Sequence, residues 1–420
     1  MTPRKAYVLG GHTTKFIGKK HPDFIWKRHP DFGTRENPDL DAYIEAAVLG
    51  ALAETGVAAS EVQKAWIGNF VGELFSQQGH LGAAVVGAHP DLLHRPIMRV
   101  EGACASGGLA FASAYESIQA GTDVTLVVGA EVQTTVSARE GGDFLARASH
   151  YKRERQLDDF TFPAVFARRT QAYRAATGAT EEDIGRIAVK AYANANRNPL
   201  AHMNAVSMDL ETARAVGDRN PNFLSNPALS PYIKMSDCSQ VSDGASALIM
   251  VSEEGLKRLG KAPSDAIEVL TVSHTTGNLW ADDADESRLH TTEAAASRAY
   301  AATGLSADDV QVAEVHDCFS VVELLMYEAL GFCAYGEAKQ LARDGTTTLE
   351  GRLPVNTGGG LIGFGHPVGA TGVKQVLEIY RQMKGLCGDY QIGNSPDVGM
   401  TANMGGNDKT VVVGLYRNAH

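Results

Sequence analysis

Paired cysteines are missing from this chain. The five present (Cys104, Cys238, Cys318, Cys333 and Cys387) are odd in number, scattered and free of C-x-x-C spacing, so neither a disulfide framework nor a zinc site is indicated. Long apolar runs are missing too, since none approaches the roughly 20 residues that a membrane-spanning helix needs. Positive charge is short, with 38 Lys and Arg against 49 Asp and Glu and a net charge of -11. Phosphate backbones need a basic face, so nucleic acid is excluded as the expected partner. The opening MTPRKAYVLGGHTTKF has no secretory h-region, and the closing RNAH is not a peroxisomal Ser-Lys-Leu tail. A cytoplasmic protein with no membrane partner is the expectation.

The remaining composition, 44% hydrophobic and 21% charged over 420 residues, is that of a globular protein with two or three domains and sizeable cores. Its most informative stretch is VEGACASGGLAFASAYESIQA, Val100 to Ala120. Small residues crowd a turn at Cys104, and Phe111, Ala114, Tyr115 and Ile118 follow at helical spacing. A thiol at such a helix entrance meets unpaired backbone N–H groups, which favour thiolate and can hold an oxyanion. On this stretch alone an inert packing cysteine reads equally well.

A second Gly-rich entrance, NTGGGLIGFGHPVGATG from Asn356 to Gly372, sets His366 where the first sets Cys104, ahead of the helix VKQVLEIYRQMKG. A third stretch, VAEVHDCF from Val312 to Phe319, places His316 and Cys318 at the end of a short apolar strand. One cysteine to attack, one histidine to activate it and a second cysteine and histidine nearby make a nucleophilic site with a spare acid/base.

Strands alternate with helices on both sides of a polar insertion, which predicts two parallel-containing sheets with helices on their faces. The expected order is a strand from Lys5, a helix over 39–55 ended by Gly56, a strand from Lys64 and a helix over 76–88. The Cys104 helix and a strand buried on both faces over 123–130 follow. Helices near 164–177 and 181–194 fall in the insertion, and a second core begins near Ala266. The similar length of the two Gly-to-helix entrances supports a duplicated core that brings Cys104 and His366 together. The near-duplication His21-Pro22-Asp23-Phe24 and His29-Pro30-Asp31-Phe32 reads as a surface loop, with no helix or strand to fix metal geometry. Between 146 and 200 lies a basic cluster (Arg147, Lys152, Arg153, Arg155, Arg168, Arg169, Arg174, Arg186, Lys190 and Arg197), most of which reads as solvated helix faces.

Taken in order, these motifs resemble the thiolases, and among them the sterol-carrier-protein type, which carries His-Asp-Cys-Phe where conventional thiolases have Asn-Glu-Ala-Phe. The resemblance covers nearly the whole chain. It implies an α/β, five-layered fold of two similar βαβαβαββ halves with an inserted loop domain. The corresponding division is a first core half at 1–133, an inserted CoA-holding domain at 134–240, a return to the first core at 241–262 and a second core half at 263–420.

It also implies acyl transfer through a cysteine thioester, cleaving or forming 3-oxoacyl-CoA, with coenzyme A and acyl-CoA as substrates and no permanently bound cofactor. By resemblance Cys104 is the nucleophile and His366 takes its proton. The conventional second catalytic cysteine is missing at Asn403-Met404-Gly405, so Cys318 takes its place. His316, with His366, binds the thioester oxygen, the N–H groups of Cys104 and Gly405 hold the oxyanion, Ser239 touches the pantetheine and Asp317 orders its loop. A homodimer or homotetramer is implied as well. The alternatives are a ketosynthase-like condensing enzyme, a thiolase-fold aldol lyase and a non-catalytic acyl-CoA-binding subunit of a larger complex.

Overall fold

Short apolar segments, several of them buried on both faces, become nine strands: β1 (Ala6–Thr13), β2 (Lys64–Gly68), β3 (Ile97–Val100), β4 (Val124–Glu131), β5 (Gly244–Ser252), β6 (Ile267–Thr276), β7 (Val312–Val315), β8 (Val398–Gly405) and β9 (Thr410–Asn418). The computed structural model describes residues 3–393 and 395–419. Within them the strands form one mixed sheet in the order β3-β2-β4-β5-β1-β6-β9-β8-β7. β2 runs parallel to β3 and β4, and β7 parallel to β8, while the other neighbours are antiparallel.

That order is a duplication read outward from the centre. β1-β5-β4-β2-β3 on one side matches β6-β9-β8-β7 on the other, where the fifth place holds only a single parallel bridge between Ala313 and Val355. Two separate sheets were expected. The halves join instead because β1 and β6 pair antiparallel over Ala6–Val8 and Ile267–Val269, which covers the open edge each half would otherwise present.

The longer helices are α1 (Leu40–Thr55), α2 (Ser106–Gln119), α3 (Thr161–Thr177), α4 (Glu181–Ala195), α5 (His290–Thr303), α6 (Ser320–Ala329) and α7 (Thr371–Lys384). Strand alternation sorts them into layers. In β1, Tyr7 and Leu9 pack outward with α1, whereas Ala6 and Val8 pack inward with Phe111 and Ile118 of α2 and Val373 and Leu377 of α7. Ile267, Val269 and Tyr416 of the second half reach the same two helices from the other side. The outer face of that half packs on α5 and α6 through Val411, Val413, Ala296 and Leu325. Helix, strands, paired helices, strands and helix are the five layers.

Where α2 and α7 begin they touch backbone to backbone. A Cβ on Gly107 would lie 2.6 Å from the Gly369 oxygen, and one on Gly372 would lie 2.2 Å from the Gly108 nitrogen. Glycine in both entrances is therefore a packing requirement, and this contact brings Cys104 and His366 to one place. A buried charge in the middle layer is paired: Lys374 of α7 bonds Glu314 of β7 at 2.8 Å.

The helix expected over 76–88 is not formed. Short turns at Gly72–Phe75, Leu81–Ala84 and Val85–Ala88 replace it, because Gln77 and His80 both take left-handed backbone at φ 55°. Between β4 and β5 the insertion carries α3 and α4. It docks on the second half through Asn194 Nδ2 to the Asn356 oxygen (3.1 Å) and the His202 N–H to the Phe364 oxygen (2.9 Å).

Candidate active site

Cys104 stands on a strained turn. Ala103 holds φ 54°, a left-handed conformation that costs a residue with a Cβ roughly 1–2 kcal/mol. Local bonds offset it: the Ala103 N–H donates to Glu101 Oε1 (2.6 Å), and Ser106 Oγ donates to the Ala103 oxygen (2.6 Å) while accepting from the Gly102 N–H (3.1 Å). His316 and Cys318 leave the end of β7, and His366 precedes α7. Asp317 points away and accepts from the N–H groups of Leu361 (2.6 Å) and Ile362 (3.4 Å), pinning the Gly-rich loop before His366.

The sulfur of Cys104 and a ring nitrogen from each of His316 and His366 lie within 4.8 Å of one another. The two imidazoles meet at right angles, their centres 5.2 Å apart. Their hydrogen bonds fix which nitrogen carries the proton. Thr371 Oγ1 donates to the Pro367 oxygen at 3.1 Å, so at its 2.7 Å contact with His366 Nδ1 it accepts. That arrangement puts the His366 proton on Nδ1 and leaves Nε2, buried and without a hydrogen-bond partner among the described residues, to present a lone pair.

Asn403 decides the other ring. Its Oδ1 accepts from the Gly108 N–H (3.1 Å), so its Nδ2 donates, to the Cys104 oxygen and to His316 Nδ1, both at 3.2 Å. His316 must then carry its proton on Nε2. One histidine is a base and the other a donor.

Burial sets the resting protonation. The Cys104 thiol is pushed up to about 12 by desolvation, although the N–H groups of Gly406 and of Cys104 itself act to lower it. Desolvation likewise drives His366 down to about 3, and His316 well below the ordinary histidine value with help from His366. The resting site is a neutral thiol beside neutral imidazoles. The thiolate expected from a helix entrance loses to dehydration of the charge. Cys318 is also raised far above an ordinary thiol by burial, with the nearby Cys104 adding to it.

A pH dependence follows from these directions. Alkylation of Cys104 by iodoacetamide should rise about tenfold per pH unit from pH 7 to 10, because the thiolate fraction is still growing there. A plateau reached by pH 8 would contradict this. The acyl-transfer rate should hold steady from pH 7 to 5, since His366, lowered toward 3, stays neutral across that window.

Cys104, His316, Cys318, His366 and Ser239 all border one cavity of about 430 Å³. Ser239 bonds the second motif through its backbone, its N–H donating to the Cys318 oxygen at 2.9 Å. Gly405 ends β8 against the Cys104 turn, so tight that a Cβ would lie 2.0 Å from the Gly102 oxygen. The peptide N–H offered to the Cys104 sulfur is that of Gly406, which lines the cavity. Sequence reasoning also missed the placing roles of Asn403, of Thr371 and of Gln133, whose Nε2 donates to the His366 oxygen at 2.7 Å.

The basic cluster of the insertion is largely self-neutralised. Among the described residues each of its members except Lys152 pairs with a carboxylate, as in Arg155 with Asp143 (2.7 Å), buried Arg169 with Asp283 (2.5 Å) and Lys190 with Glu323 (2.5 Å). The histidines of the duplicated His-Pro-Asp-Phe loop are used locally: Nδ1 of His21 accepts from the Asp23 N–H (3.0 Å) and Nδ1 of His29 from the Asp31 N–H (3.1 Å).

Comparison with known proteins gives the family. Residues 33–216 match the thiolase N-terminal domain family, and residues 273–417 match the thiolase C-terminal domain-like family. An acetyl-CoA acetyltransferase of Methanothermobacter thermautotrophicus is 32% identical over 375 residues, 89% of this chain and 93% of the relative. The benzoylsuccinyl-CoA thiolase subunit BbsB of Thauera aromatica is 31% identical over 407 residues, 96% of this chain and 95% of the relative. Sterol carrier protein 2 of Gallus gallus is 28% identical over 361 residues, 82% of this chain and 62% of that longer relative. The fold also matches a solved Ltp2-ChsH2(DUF35) aldolase with a TM-score of 0.76 at 23% identity, over 100% of this chain and 99% of the other. The chain belongs to the thiolase family of acyltransferases.

Proposed function

We propose that this protein exchanges acyl groups between 3-oxoacyl-CoA and coenzyme A in two half-reactions through Cys104. The observation that carries the reading is one thiol with a nitrogen of each of two imidazoles within 4.8 Å, the rings held from behind by Thr371 and Asn403. In the first half-reaction the Cys104 sulfur attacks the 3-keto carbon and its proton passes to His366 Nε2. The His316 Nε2–H and the backbone N–H groups of Cys104 and Gly406 are the donors for the oxyanions that form; fixed donors of this kind act without reorganising. The bond between C2 and C3 breaks, leaving an acyl group on Cys104, and the departing acetyl-CoA enolate takes the proton of Cys318.

In the second half-reaction the Cys318 thiolate takes the proton of incoming coenzyme A, whose sulfur attacks the acyl-cysteine. Cys104 leaves and recovers its proton from His366. A thiol with its pKa raised by burial suits Cys318 to this task, since it gives up a proton only to a strong base such as an enolate. The loop domain at 134–240, which supplies Ser239 to the cavity wall, would hold the coenzyme.

Separating the two steps tests the proposal. In Cys318→Ala, cleavage of acetoacetyl-CoA should fall by at least about 10²-fold, the usual worth of a positioned acid/base. Acyl exchange between butyryl-CoA and free coenzyme A, which breaks no carbon–carbon bond, should fall far less. Equal loss of both, or of neither, would remove Cys318 from the role given to it.

A further inference from the structure

Around Cys104 lies an apolar chamber that none of the five layers needs. Buried Phe70, Val71, Phe75, Ala103, Ala148 and Val368 form a cluster separate from the three that hold the sheet and helices together. Cys104 itself is part of its wall, with Val136, Phe144, Leu145 and Phe162 partly exposed around it. The rings are arranged as aromatic groups prefer, Phe75 edge-on to Phe144 with centres 5.2 Å apart.

On one side the wall is formed by a helix over Ala138–Leu145 whose inward positions, Gly141 and Gly142, carry no side chain. A Cβ on Gly141 would meet Phe75 at 3.4 Å and Val136 at 3.7 Å, ordinary contact distances, so sterics do not require glycine there. The glycine leaves room.

We propose that this chamber takes a ring-bearing acyl group, so that the preferred substrates are 3-aryl-3-oxoacyl thioesters of coenzyme A and the group carried on Cys104 is an aroyl group. The inference rests on the acyl-transfer reading above. Beside Cys104 the cavity of about 430 Å³ is walled by Phe70, Phe75 and Phe162, more apolar surface than an acetyl group covers. A space of about 150 Å³ lined by aliphatic and phenyl side chains already holds benzene, so a ring fits here with room left for the thioester and the end of the pantetheine arm. A methyl group would leave the phenylalanine walls uncovered. A flexible chain would pay rotamer entropy that a flat ring does not, and would gain nothing from edge and face contacts.

The experiment compares kcat/KM for thiolysis of 3-oxo-3-phenylpropionyl-CoA, acetoacetyl-CoA and 3-oxooctanoyl-CoA by the full chain, with mass analysis of Cys104 after each. One methylene in an apolar pocket is worth about 10- to 200-fold, so the aryl substrate should exceed acetoacetyl-CoA by at least about 100-fold and should also exceed the linear substrate. Preference for acetoacetyl-CoA or for 3-oxooctanoyl-CoA overturns the aryl assignment while leaving acyl transfer intact. Absence of any acyl group on Cys104 with all three overturns the acyl-transfer reading itself.

Gly141→Leu, which replaces glycine by a better helix former, places a side chain in the chamber. It should reduce the ratio of aryl to acetoacetyl kcat/KM at least tenfold, with the melting temperature and circular dichroism reporting the fold. A folded variant with an unchanged ratio would place the acyl group elsewhere.

Discussion

Asn403→Asp lowers kcat for thiolysis by about 10³-fold with little change in the KM for coenzyme A. The side chain keeps its size and can still accept from the Gly108 N–H, so the contact between β8 and α2 survives. What changes is the direction of the bond to His316, together with the loss of the donor to the Cys104 oxygen. A carboxylate accepts only, so Nδ1 must carry the proton and Nε2 turns from a donor into a lone pair aimed at the oxyanion. Exchanging amide and carboxylate beside a catalytic histidine costs about 10⁴-fold in serine proteases for the same reason, a wrong tautomer in intact geometry. Asn403→Ala, which introduces no charge and lets His316 adopt either tautomer, should lose less, about 10- to 100-fold. Steady-state kinetics of the two variants decide the matter. Wild-type rates in Asn403→Asp would show that His316 is not held as described.

Cys104→Ala should reduce both cleavage and acyl exchange by at least about 10⁴-fold. Removing the nucleophile from a comparable covalent site costs about 10⁶-fold, and what remains comes from binding and the oxyanion donors. The substitution takes little from the fold, since Cys104 is only partly exposed at a chamber wall and its sulfur holds no layer together. Residual activity above about 1% in a folded variant would mean that carbon–carbon cleavage proceeds without an acyl-cysteine.

Much of the site is legible in the sequence because glycine marks it. Two Gly-rich helix entrances can approach backbone to backbone, so Cys104 and His366 meet where Gly107 and Gly372 allow them to. His316 and Cys318 are carried by the end of a short apolar strand, fully buried in the structure. Other features depend on partners far along the chain. Asn403 acquires its role from strand alternation, which turns Thr401 and Asn403 inward while Met400, Ala402 and Met404 turn outward, and from residues 87 and 295 positions away.

Whether Gly405 or Gly406 offers its N–H to the sulfur depends on the turn after β8, where Gly406 takes φ 64°. The protonation of Cys104 is a matter of dehydration, set by neighbours from both halves. The single sheet was missed because its join is a short edge pairing between β1 and β6, and strand pattern does not specify a partner.

One measurement reaches the central claim most directly. Mixing the enzyme with a 3-oxoacyl-CoA in the absence of free coenzyme A, quenching with acid, digesting and sequencing the peptides by mass spectrometry should find close to one acyl group per chain. That group should sit on Cys104 and disappear when coenzyme A is added before the quench. An acyl group on Cys318 or another residue, or turnover with no modified cysteine, would contradict the account.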